Sequence, residues 1–127
     1  MSSFRSALRF QDDTGLPFTL TSPLIYDSAL AHLTIIVPIG FKTDLASIPR
    51  VLWNVLPPIG RYDHAAVLHD FLYQTDGMTR RIADGVLNEA MAVSHVGRMA
   101  RWTIYLAVRA GGWHIWQRYR QAEQVHG

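Results

Sequence analysis

Two periodicities divide the chain. Up to residue 38, apolar, β-branched and aromatic positions come in short runs: FRSALRF (4–10), PFTLTSPLIY (17–26) and ALAHLTIIVP (29–38). Asp-Asp-Thr-Gly and Asp-Ser turn signals separate them, so the pattern predicts three short antiparallel strands. The segment IGFKTDLASIPR (39–50), bracketed by Pro38, Gly40 and Pro49, follows neither the strand nor the helix period. It predicts an ordered loop and then a short helix near 47–55, which Pro57-Pro58 ends.

Beyond residue 62 the spacing becomes helical. Asp63 is placed to cap a helix carrying DHAAVLHDFLY (63–73), and Asp76-Gly77 makes a turn. Thr79 can then cap a second helix, along which Ala83, Leu87, Ala90 and Met91 trace an apolar stripe. A last helix from about Arg98 to Glu123 spaces Trp102, Tyr105, Leu106, Trp113 and Trp116 at near-helical intervals, weakened or bent at Gly111-Gly112. The expected class is α+β, with a short N-terminal antiparallel sheet packed on a C-terminal half of three to four helices. Residues 1–127 form one expected domain, without internal repeats or linkers.

Composition narrows the options. The chain has 127 residues, no cysteine and an apolar share of 49 %. Disulfides and thiolate metal sites are therefore excluded, and packing must supply the stability. No run of eighteen apolar residues is present, and MSSFRSALRFQDD lacks a signal-peptide core, so synthesis and residence in a cytoplasm are expected. The net charge of +2 is unevenly spread. Arg98, Arg101, Arg109, Arg118 and Arg120 face only Glu123 in the last stretch, whereas residues 61–91 carry Asp63, Asp70, Asp76, Asp84 and Glu89. No nucleic-acid motif accompanies the basic end.

The candidate chemistry lies in the acidic centre. On a helix, His69 and Asp70 place an imidazole beside a carboxylate, with the Tyr73 phenol one turn on. Ala65 and Ala66, one turn before His69, let a partner helix approach closely, so Asp84 on that helix can meet the imidazole. A buried carboxylate bonded to one ring nitrogen fixes the tautomer, and the other nitrogen can take a proton from water. The reading places His69 Nδ1 against Asp84 and leaves Asp70 open to solvent as a cation ligand. Plainer roles stand beside it: Asp63 as a cap only, Asp84 paired with Arg80 at i−4, Tyr73 as core. Asp44 and Ser47 suit capping of the short helix, with Arg50 paired to a central carboxylate. The tryptophan-rich final helix suits a core, although Trp with Arg also favours lipid headgroups.

The run D-x-x-x-x-x-H-D-x-x-Y followed by A-D resembles the core of phospholipase A2 enzymes, above all the cysteine-free version in parvovirus capsid proteins. The resemblance covers Asp63 to about Met91. It implies that His69 activates water for attack on an ester, that Asp70 helps hold calcium, and that Asp84 and Tyr73 support the histidine. The family's glycine-rich calcium loop has no counterpart around Ala46 to Arg50; Asp44 and the Pro57-Pro58-Ile59-Gly60 turn are the remaining oxygen sources, so weak calcium binding is expected. FKTDLASIPR (41–50), the Pro-Pro-x-Gly turn, AAVLHDFLY and AVRAGGW (107–113) also resemble a family of uncharacterised proteins carried by tailed bacteriophages and prophages. That implies a phage protein made in the host cytoplasm and, in one version, built into the virion. Two functions are open: a hydrolase meeting phospholipid, or a non-enzymatic tail or assembly component bound to other phage structural proteins.

Overall fold

A computed structural model describes residues 2–6, 10–11, 18–43, 63–75 and 77–126. Six strands and four helices form among them: β1 (Ser3–Phe4), β2 (Phe10–Gln11), β3 (Phe18–Leu20), β4 (Leu24–Ser28), β5 (Leu33–Val37) and β6 (Lys42–Thr43), then α1 (Asp63–Gln74), α2 (Arg80–Val93), α3 (Arg98–Gly111) and α4 (Trp113–His126). The layout is α+β, as the two periodicities require.

The strands pair into two antiparallel three-stranded sheets, ordered β1-β4-β5 and β2-β3-β6. Two of the expected strands are each divided between these sheets. Phe18–Leu20 and Leu24–Ser28 part at Pro23, which has no N–H to give to a ladder. Ser6 repairs the break: its hydroxyl donates to the Pro23 carbonyl (3.0 Å) and accepts from the Ile25 N–H (2.9 Å). The β4–β5 turn falls after Asp27-Ser28, at Ala29 to His32, and His32 takes the left-handed conformation (φ 57°). Within β4, alternation buries Leu24, Tyr26 and Ser28.

Thr79 caps α2 as expected, its hydroxyl accepting from the Ile82 N–H. Ala83, Asp84, Val86, Leu87, Ala90 and Met91 form the buried face of α2, and they meet Ala65, Ala66, Leu68, His69, Leu72 and Tyr73 of α1, all likewise buried. The small Ala65 and Ala66 side chains permit that close packing. The single long helix expected over 98–123 is instead two, α3 and α4, divided at Gly112. The Arg80 guanidinium lies at this joint and donates to the Val108 and Arg109 carbonyls, both at 3.3 Å, satisfying the end of α3 from outside. The short helix expected near 47–55, with Asp44, Ser47, Arg50 and the Pro57-Pro58 turn, lies outside the described residues.

Candidate functional site: a buried carboxylate hub

Asp84 comes to the centre of the helical half because it shares the inward stripe of α2 with Leu87 and Met91. It is 0 % exposed, as are His69 and Asp70. His69 Nε2 lies 2.7 Å from Asp84 Oδ1, and the Tyr73 hydroxyl donates to the same oxygen at 2.6 Å. Arg109 donates to Oδ2 at 2.8 Å and Arg80 at 3.3 Å. Three helices thus converge on one carboxylate, with α1 supplying His69 and Tyr73, α2 Arg80, and α3 Arg109.

The electrostatics fix the proton positions. Burial pushes the Asp84 carboxyl up, but the hydrogen bond and charge of His69, then the bonds from Tyr73 and Arg109, outweigh it and hold the group below the ordinary carboxylate range. An ionised carboxylate only accepts, so His69 carries its hydrogen on Nε2 and donates it. In the neutral ring this makes Nδ1 the basic nitrogen, and in the protonated ring Nε2 still donates to Asp84. Burial, then the Asp84 hydrogen bond, raises the Tyr73 phenol well above its usual value, so it stays a donor.

The fold brings His69, Asp84 and Tyr73 together, as the facing helical stripes predict. The sequence expectation is corrected in two respects. The ring atom on Asp84 is Nε2 rather than Nδ1, because His69 projects from α1 with its far nitrogen toward α2. Asp70 is buried rather than open to solvent: the Thr43 hydroxyl and the Gln74 amide (2.8 Å) both donate to its Oδ2. One helix position after His69, Asp70 points about 100° away, which here means toward β6 and not toward water. The i−4 pairing of Asp84 with Arg80 is also present, as one contact among several.

Two contributors escaped the sequence reading. Arg109 falls by sequence with the basic end of the chain, although AVRAGGW presents it as the lone charge in an otherwise apolar run. Gly112 read only as a helix weakness, yet a Cβ there would lie 2.7 Å from the Tyr73 hydroxyl and 2.6 Å from the Val108 carbonyl. Its missing side chain is the space in which the phenol reaches Asp84.

A calcium ion takes six to eight oxygen ligands. Among the described residues no cluster of three or more metal-binding side chains occurs, and Asp70 Oδ2 is already engaged by donors. Asp44, the other candidate ligand, lies outside the described residues. None of the described helices is long and apolar enough to cross a membrane.

Comparison with known proteins places the chain in a family. The model of the family described as "Protein of unknown function (DUF1353)" matches residues 18–108, and the chain belongs to that family. The match spans β3 to most of α3 and includes His69, Tyr73, Arg80 and Asp84, while Arg109 lies one residue past its end. No curated protein and no solved structure matches the chain.

Proposed function

We propose that this protein is a phage-encoded hydrolase in which His69 acts as the general base for a water nucleophile. The observation that carries the reading is the bond from His69 Nε2 to Asp84 Oδ1, shared with the Tyr73 hydroxyl. In the proposed reaction, Nδ1 takes a proton from water and the resulting hydroxide oxygen attacks an ester carbonyl. The imidazolium then returns that proton to the departing alkoxide as the ester bond breaks. Asp84 steadies the imidazolium without taking the proton itself. Tyr73 and Arg109 hold the carboxylate in place as positioning residues. One carboxylate set against two guanidiniums leaves a positive excess at the hub, which suits an ester bearing an anionic headgroup. The likeness of the HDxxY and AD runs to phospholipase A2 supports a phospholipid ester as substrate. The signature shared with phage-borne proteins supports the origin. No step is written through calcium.

A second reading is favoured by one observation, the complete burial of His69 and Asp84. In it the hub only fastens helices together, and the protein is a non-enzymatic tail or assembly component. The experiment is hydrolysis of mixed micelles of phosphatidylglycerol by the wild-type protein and by His69→Ala. Loss of a general base is expected to lower the rate about 10²–10⁴-fold, with circular dichroism showing a folded variant. Equal rates in the two proteins would reject the base. Absence of ester hydrolysis in the wild type would leave the scaffold reading in place.

A further inference from the structure

Helix α3 has two apolar faces, and the fold uses only one. Ile104 and Val108 are buried against the core. On the opposite side Met99 (86 % exposed), Trp102 (43 %) and Leu106 (61 %) line up, followed by Trp113 (44 %) at the start of α4. Spacings of three and four residues put Met99, Trp102 and Leu106 on one stripe of α3, about 120–180° away from Ile104 and Val108 at 100° per residue. A solvated helix face would carry polar residues at these places.

The charges beside the stripe are of one sign. From Gly97 to Ala122 the chain has no acidic residue; Arg109 is turned to Asp84 and Arg120 to the Tyr73 and Thr75 carbonyls, while Arg98 and Arg101 adjoin Met99 and Trp102. Arg98 is exposed next to Met99. The Arg101 guanidinium lies 5.3 Å from the Trp102 ring centroid while donating to Asn88. A second copy of this face would set arginines against arginines with no carboxylate to answer them, which argues against self-pairing. Half-exposed indole rings with flanking guanidiniums match an anionic lipid surface, where tryptophan sits at headgroup depth and arginine meets phosphate.

We infer that the Met99, Trp102, Leu106 and Trp113 stripe docks the protein on an anionic lipid bilayer, lying in the interface plane without crossing it. This surface is separate from the Asp84 hub and does not depend on the hydrolase reading. The test uses the full chain and vesicles of ether-linked phosphatidylglycerol, which contain no ester, so that failed docking and failed hydrolysis are told apart. Cosedimentation should show binding to these vesicles and weak binding to ether-linked phosphatidylcholine. Leu106→Glu, at an exposed position, should weaken binding by about tenfold or more, and Arg98→Glu by about tenfold. Binding should also fall steeply between low and physiological salt. A folded wild-type protein that ignores phosphatidylglycerol vesicles overturns the inference, as does unchanged binding by Leu106→Glu. A wild-type dimer that Leu106→Glu renders monomeric would overturn it in favour of a second copy. A wild-type monomer with no lipid affinity that binds an acidic apolar peptide through Leu106 would overturn it in favour of a protein partner.

Discussion

Helix α2 carries two carboxylates that gather donors in different ways. Asp84 receives His69, Tyr73, Arg80 and Arg109, drawn from three helices. Glu89, five residues on, receives the hydroxyls of Tyr26 and Ser28 and the Leu30 N–H, each at 2.8 Å. These three belong to one hairpin, Ser2 joins them from the N-terminal end, and none carries charge. Burial pushes the Glu89 carboxyl up, but the bonds from Tyr26, the Leu30 backbone and Ser2 and Ser28 outweigh it and hold it low. Both carboxylates are therefore ionised and well satisfied. Only the Asp84 set includes an ionisable base, and only there do guanidiniums balance the charge. Glu89 ties the β4–β5 hairpin to α2; Asp84 ties the helices to one another and selects a histidine tautomer. Dense hydrogen bonding alone does not mark a chemical site. The type of donor does.

The largest effect that separates the two carboxylates is on stability. Asp84→Ala removes the anion shared by His69, Arg80 and Arg109, and takes from the buried imidazole and phenol the carboxylate that accepts from them. Breaking a buried charge network from one side costs roughly 3–5 kcal/mol, and the partial exposure of the two arginines favours the lower end. Glu89→Ala frees only neutral donors at the edge of the core, near water that can replace it, for about 1–2 kcal/mol. Urea unfolding of both variants measures the gap. Equal losses would mean that Asp84 is no more than a second tie of the same kind.

The helical periods and the turn signals carried the fold class, because burial of one face forces apolar residues into register with the element. The same period carried His69, Tyr73 and Asp84, which lie on facing stripes of two consecutive helices joined by a short turn. Arg109 was not legible in this way: 25 residues separate it from Asp84, and nothing local to α3 says which carboxylate its guanidinium reaches. The splitting of two strands was missed because strand pattern reports alternation and not pairing; Pro23 and the Ser6 stitch decide which sheet each half joins. Spacing on a helix gives the angle of Asp70 from His69 but not what waits at that angle, here Thr43.

Gly112 sharpens the comparison with a smaller effect, for it lies against the Tyr73 hydroxyl of the Asp84 hub and not against Glu89. Its φ of −74° is one that alanine adopts freely, so backbone conformation is not the obstacle. A methyl group would nevertheless press on the Tyr73 hydroxyl and the Val108 carbonyl. Overpacking of this kind costs about 1–3 kcal/mol. The paired variant Gly112→Ala with Tyr73→Phe, which removes the crowded oxygen, should lose less than the sum of the single changes. Strict additivity in a double-mutant cycle would separate Gly112 from the hub.

The smallest effect is in the acid limb of the stability curve. The folded Asp84 carboxyl lies below its unfolded value of about 3.9, so its contribution is fully present above that value and is lost as pH falls through the lower, folded one. Asp84→Asn abolishes this titration. The variant should be less stable than wild type at neutral pH, and the two melting temperatures should draw together as pH drops below about 4. Glu89→Gln gives a parallel comparison, since Glu89 is also held low but by neutral donors, and its curve should approach wild type in the same direction. In addition, nitrogen NMR of His69 should show hydrogen on Nε2 in wild type, and lose that preference in Asp84→Asn while keeping it in Glu89→Gln. Wild-type and Asp84→Asn curves that remain parallel through the acid range, with the His69 tautomer unmoved, would show that Asp84 neither gains its charge from the hub nor orients the imidazole. The two carboxylates of α2 would then be equivalent ties, and the chemical reading of the helical half would lose its physical basis.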